Sequence, residues 1–177
     1  MTANENERRL PTAEDEARFW ALLESAWVPL GADINRARLA LAKRAPGDEV
    51  DASVFEDAVE VVVENLTDSC EGLSGEELTD LDRVLERKLY DIDRADVQEV
   101  TDGSDDGFLY ARGFVLVLGR DFYEAVVRDP EMAVPDGECA DMGYLFARLY
   151  GKRFGGFPET GSGISRESCS NPLGWQG

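Results

Sequence analysis

An all-α fold, a single multi-helix domain of six to seven helices followed by a glycine-rich irregular C-terminal tail, is what this sequence predicts, and three observations carry the prediction. Apolar residues recur at three- and four-residue intervals over most of the first 150 positions. A serine or threonine followed by acids precedes several of these runs, and proline or glycine closes them. Periodicity then stops, and residues 151–177 carry seven glycines with no repeating apolar face. The chain therefore divides into a disordered N-terminus over 1–11, a helical domain over 12–153 and the tail over 154–177.

The first helix begins at Thr12, a capping residue followed by Glu14, Asp15 and Glu16 at the positive end of the helix dipole. Phe19, Trp20, Leu23 and Trp27 share one face, and Val28-Pro29-Leu30-Gly31 ends the run. A second helix over Ala32 to Ala45 buries Ile34, Ala37 and Leu41. A third opens with a capping box from Ser53 to Glu56 and buries Phe55, Ala58, Val59, Val62 and Leu66, although the β-branched Val61 to Val63 would also suit a short strand. Ser74 and Glu77 repeat the box before Leu78, Leu81, Leu85 and Leu89. A short helix over 93–100, two helices joined at Gly119, and a segment over 138–150 with Cys139, Met142 and Phe146 on one face complete the domain. The tail, lacking a period, is expected to bury little, so that its loss would leave thermal stability almost unchanged.

The 177 residues carry 37 acids against 18 bases, a net charge of -19, and no histidine. That charge opposes nucleic-acid backbones and anionic membranes and attracts basic partners. Without histidine there is no imidazole acid-base catalyst and no Ser-His or Cys-His nucleophile. Three cysteines with no CxxC spacing give neither a disulfide framework nor a zinc site. The N-terminus has no apolar leader and no run approaches a membrane span, so the chain is expected in the cytoplasm.

One stretch, "TDGSDDGFLYARG" at 101–113, stands out. Asp102, Ser104 and Asp106 follow the start of a calcium-binding loop, with Gly107 at its turn, but Gly113 falls where that loop needs a bidentate glutamate. A helix start uses every residue instead: Ser104 caps, and Asp105 and Asp106 occupy the first turn. Gly107 and Gly113 each cost about 1 kcal/mol inside a helix, which close helix crossing or ligand approach would offset. Arg112, on a strongly apolar helix, is expected to form an internal salt bridge to Asp106 or Asp93.

The residues "RFW" at 18–20, "SDDGF" at 104–108, "RGF" at 112–114, "GR" at 119–120 and "DP" at 129–130 together resemble the bacterial family known as domain of unknown function 4240, over roughly residues 17–150. The tryptophan-rich stretch expected before Ser104 is replaced here by "IDRADVQEV". The resemblance implies an all-α domain and marks Trp20, Ser104, Asp105, Asp106, Gly107, Arg112, Gly113 and Arg120 as its signature, without deciding between fold and site.

Three functions compete. The first is a non-catalytic module of immunity, inhibitor or adaptor type that binds a basic protein partner. The second is a divalent-cation-dependent enzyme or ligand site around Asp102 to Arg112, in which Asp102, Asp105 and Asp106 would hold the metal. The third is a DNA mimic. Charge and the lack of catalytic motifs favour the first, with no cofactor and with the oligomeric state open.

Overall fold

The computed structural model describes residues 8–101 and 104–176, and for Asp105 the backbone alone. Among the described residues there are eight α-helices and no strand: α1 (Ala13–Trp27), α2 (Ala32–Leu41), α3 (Glu56–Ser69), α4 (Gly75–Asp91), α5 (Ala95–Thr101), α6 (Asp105–Val117), α7 (Arg120–Arg128) and α8 (Leu145–Phe154). The count exceeds the expected six to seven because every one of the segments read as helical, the short one over 93–100 included, holds as a helix of its own. The seven-residue α5, for example, packs against α6, and the Thr101 hydroxyl closes it on the Val97 carbonyl at 3.1 Å.

The helix α6 is the centre of the molecule. Every residue from Ala111 to Gly119 is buried, so neighbours cover every face of this part of α6, and all of its side chains but Arg112 are apolar. It contacts α3, α4, α5, α7 and the short 3₁₀ turn Ala140–Met142, while α1 lies across α3 and α4, and α8 lies along α4. Valines 61 to 63 lie within α3, so the strand alternative falls away.

Local chemistry explains most boundaries. Thr12 and Ser74 each form a complete capping box, with Asp15 and Glu77 returning the bond. Ser53 does not cap: Asp51 accepts from its amide and hydroxyl, starts the 3₁₀ turn Ala52–Phe55, and defers α3 to Glu56. In α2 Leu41 is buried as expected, but the other buried residue is Arg38 and not Ala37, which is exposed. Arg38 lies over the Trp27 ring at 4.7 Å and pairs with Glu24, so a charged residue does the packing expected of alanine.

The carboxylate of Glu77 accepts from the Ser74 amide at 2.8 Å and from Arg18 at 2.7 Å, and these donors hold its pKa at about 2, below the ordinary 4.5. A depressed carboxylate stabilises above its unfolded value and loses that contribution as pH falls through the folded one. Glu77→Gln is therefore expected to be less stable than wild type near neutral pH and to converge with it as pH falls from 4.5 to about 2. Urea midpoints across that range measure this, and parallel curves would contradict it.

Irregular as it is, the tail is not loose. Residues 155–176 form no helix, yet Ser162 and Arg166 are buried and Asn171 nearly so. Arg9 donates its amide to Gly161 at 2.9 Å, so the residues just before α1 are drawn in as well. The expectation that the tail buries little is thus overturned: it adheres through single polar side chains and backbone amides, which leave no periodic trace in the sequence.

Candidate binding groove

The signature stretch begins with Ser104 at the N-cap of α6, its hydroxyl accepting from the Gly107 amide at 3.2 Å. Asp106 is exposed in the first turn, whereas Asp102 lies outside the described residues. Among the described residues no group of three or more His, Cys, Asp or Glu side chains is arranged to hold a metal ion.

Two turns further along α6, Arg112 is fully buried but makes no salt bridge to Asp106 or Asp93. Its guanidinium donates to the Leu89 carbonyl at 2.8 Å and to the Ser168 hydroxyl at 3.2 Å, and lies 4.8 Å over the Phe108 ring. Burial lowers its pKa, and the negative charge of nearby Asp93 opposes that shift. The reason for the difference is the end of α4. Its last carbonyls have no partners within the helix, and three distant side chains supply them: Tyr123 for Lys88, Arg112 for Leu89 and Asn171 for Tyr90. Asp93 instead accepts the amides of Cys169, Ser170 and Asn171 and the Trp175 indole N–H.

Both signature glycines face the segment 137–142. A Cβ on Gly113 would run into the Cys139 carbonyl oxygen and press on Met142, so the missing side chain lets that segment lie directly on α6. The Cys139 amide donates to the Tyr110 carbonyl at 3.0 Å, which ties the same contact. At Gly107 a Cβ would lie 3.8 Å from the Glu138 carboxylate, which places that acid beside the first turn of α6. Gly113→Ala is expected to destabilise by about 1–3 kcal/mol despite the better helix propensity of alanine. Denaturant titration measures the effect, and an unchanged midpoint would show that the segment yields freely.

The segment held by these glycines is one wall of a groove of about 520 Å³, and α3 is the other. Glu56, Glu60 and Glu64 recur every fourth residue on α3 and face Glu138 and Asp141, over a floor that includes Val59, Val63 and Cys139. Asp141 pairs with Arg148 at 2.7 Å, but Glu56, Glu60, Glu64 and Glu138 have no cationic partner among the described residues. Like charges four apart on a helix cost about 0.2–0.5 kcal/mol per pair. The α3 ladder contains two such pairs with no internal return. Burial pushes the Cys139 thiol up to about 11, so it lines the groove as an apolar group and not as a thiolate nucleophile.

Trp20 and Arg120, a hundred positions apart, do meet, at a second cavity of about 460 Å³ between α1, α4 and α7. Its floor is Trp20 against Tyr123, with ring centroids 5.4 Å apart. The charges around it are largely spoken for: Lys88 pairs with Glu16 at 3.0 Å, Arg120 with Glu124 at 2.7 Å and Asp91 with Arg87 at 2.8 Å. This balance leaves a locally neutral rim. Gly113 backs the groove wall and Gly107 lies near Glu138, Ser104 and Asp106 are exposed at the start of α6, Trp20 and Arg120 line this cavity, and Arg112 is in the interior.

A third cluster was missed in the sequence. Asp82 and Glu86 are buried on α4, where Arg166 of the tail pairs with both Asp82 oxygens at 2.9 and 2.7 Å. Burial raises the Asp82 pKa, and the guanidinium opposes that shift. Two acids four apart within the apolar stripe of Leu78, Leu85 and Leu89 were a legible sign of a buried polar partner. Nothing in the pattern of the tail identified that partner.

No curated protein and no solved structure matches the chain. The model of a family described as protein of unknown function (DUF4240) matches residues 47–152, which takes in the groove and α4 to α7 but leaves out α1 with its "RFW" and the tail. With more than half of its length inside that match, the chain belongs to the DUF4240 family.

Proposed function

We propose that this chain is a non-catalytic docking protein, of immunity, inhibitor or adaptor type, that holds a basic polypeptide segment in the groove between α3 and residues 138–141. The observation that carries the reading is the unpaired ladder of Glu56, Glu60 and Glu64 opposite Glu138. Such a ladder repels itself in the free protein and is relieved by lysine or arginine from outside. The apolar floor adds area that a purely electrostatic contact lacks, and the net charge of -19 steers a basic partner from a distance. No described helix is long and apolar enough to cross a membrane, in keeping with the cytoplasmic setting proposed with this role.

An arginine-rich peptide titrated by fluorescence anisotropy tests the reading. Glu60→Lys/Glu64→Lys is expected to weaken binding about tenfold or more, since each exposed charge pair contributes up to about 1 kcal/mol and reversal adds repulsion. Glu14→Lys/Asp33→Lys makes the same change of net charge away from the groove and is expected to have a much smaller effect. Equal losses in the two double variants would mean that bulk charge alone attracts the peptide, and the groove reading would fall.

A further inference from the structure

The tail creates a cavity where it crosses α4. About 210 Å³ in volume, it is lined by Asp82 and Glu86 from below, by Tyr144 and Arg166 at one side, and by apolar Phe157 and Ile164. Pockets for drug-sized ligands begin near 300 Å³, so its occupant is a smaller group.

The charges around it do not cancel. Arg166 spends one Nη on Asp82 and the Gly143 carbonyl and the other on the second Asp82 oxygen. Arg83, the nearest base on α4, donates to Asp80 and to the Thr160 carbonyl. Glu86 is left with two neutral donors, the Thr160 and Ser162 hydroxyls at 2.7 and 2.6 Å, both on Oε2. Its Oε1 receives no hydrogen bond and stands 3.6 Å from the Arg166 nitrogen. Glu86 is only 8% exposed and lines the cavity. One carboxylate therefore exceeds the cations at contact distance, in surroundings where an unmatched charge is costly.

We propose that this cavity binds a protonated alkylamine, with the ammonium group on Glu86 Oε1 and its methylene stem between Phe157 and Ile164. Aromatic faces attract an ammonium, and apolar walls suit the stem of a lysine-like chain. Phe157 stands at the mouth, 74% exposed, a costly position for a phenylalanine that nothing else covers. An anion would face two carboxylates with Arg166, the only lining cation among the described residues, already engaged. The amine can come from a lysine side chain of another polypeptide or from a free diamine. The inference is independent of the groove, which lies on α3.

The test is a titration of the full chain with n-butylamine, Nα-acetyl-lysine amide and 1,5-diaminopentane, followed by backbone amide chemical shifts, with n-butanol as the uncharged control. Saturable shifts confined to residues around 82–86 and 157–166 are expected for the amines and not for the alcohol. Glu86→Gln keeps the shape and removes the charge, and should abolish saturation. Phe157→Ala, an exposed change that spares the fold, should weaken binding roughly two- to fivefold. Glu60→Lys/Glu64→Lys should leave amine binding in place even if it abolishes peptide binding. Stronger binding of the lysine amide than of the diamine identifies a polypeptide source, and the reverse a free amine. Shifts spread over the acidic surface, binding unchanged in Phe157→Ala and Glu86→Gln, or no saturation by any amine would each overturn the proposal.

Discussion

Deleting residues 158–177 is expected to abolish cooperative thermal unfolding, the largest effect of any change considered for this protein. The truncation strips Asp82 of Arg166 and Glu86 of its two hydroxyl donors. Asp93, which has no exposed surface, loses three backbone amides and the Trp175 indole. The Tyr90 carbonyl loses Asn171, Arg112 loses Ser168, and Phe108 loses the edge contact of Trp175 at 5.9 Å. Leaving one buried charge without its partner costs about 3–5 kcal/mol, and two such losses reach the whole stability of an ordinary domain, about 5–15 kcal/mol. Circular dichroism melts and the dispersion of the amide proton spectrum would show the collapse. A truncated chain melting within a few degrees of the full one would mean that the family-matched stretch and α1 fold without the tail.

Arg166→Met isolates the strongest single contact in that set. Arg166 is 6% exposed and its guanidinium is bidentate on Asp82, which is 1% exposed, so the substitution should destabilise by about 3–5 kcal/mol near neutral pH. Adding Asp82→Leu should recover part of the loss, because the carboxylate that Arg166 held bidentately is gone, while Glu86 loses its 3.6 Å ion pair but keeps the Thr160 and Ser162 hydroxyls. The acid dependence has a definite sign. Burial already raises the Asp82 pKa in the wild type, and loss of Arg166 raises it further. A carboxyl whose folded pKa is raised contributes stability below its unfolded value and loses it as pH rises through the folded one. The deficit of Arg166→Met should therefore shrink as the solution is made acidic. A deficit independent of pH, or a double variant no better than the single, would show that Arg166 acts by packing against Tyr144, whose ring it covers at 4.7 Å, and not by its charge.

Glu60→Lys/Glu64→Lys bears on the difference between what was legible in the chain and what was not. The spacing of Glu56, Glu60 and Glu64 is written in the sequence, since a helix brings every fourth residue to one face. That the ladder borders a groove depends on Glu138 and Asp141, more than seventy positions away, and on Gly113 of α6, which lets their segment approach. The same division runs through the signature stretch. Ser104 as a cap follows from its own neighbours, whereas the partner of Arg112 is set by the unpaired carbonyl at the end of α4.

By itself the sequence determined the all-helical class, the cap at Thr12, the capping box at Ser74, the boundary at Gly119 and membership of its family, because each depends on residues within a few positions of one another or on their order. Tertiary structure alone decided that Arg38 is buried in place of Ala37, and that the tail is clasped to Asp82, Glu86 and Asp93. Helical periodicity records where apolar side chains leave water. A buried charge is matched by single donors from anywhere in the chain, and their positions follow from the folded shape and not from any local repeat.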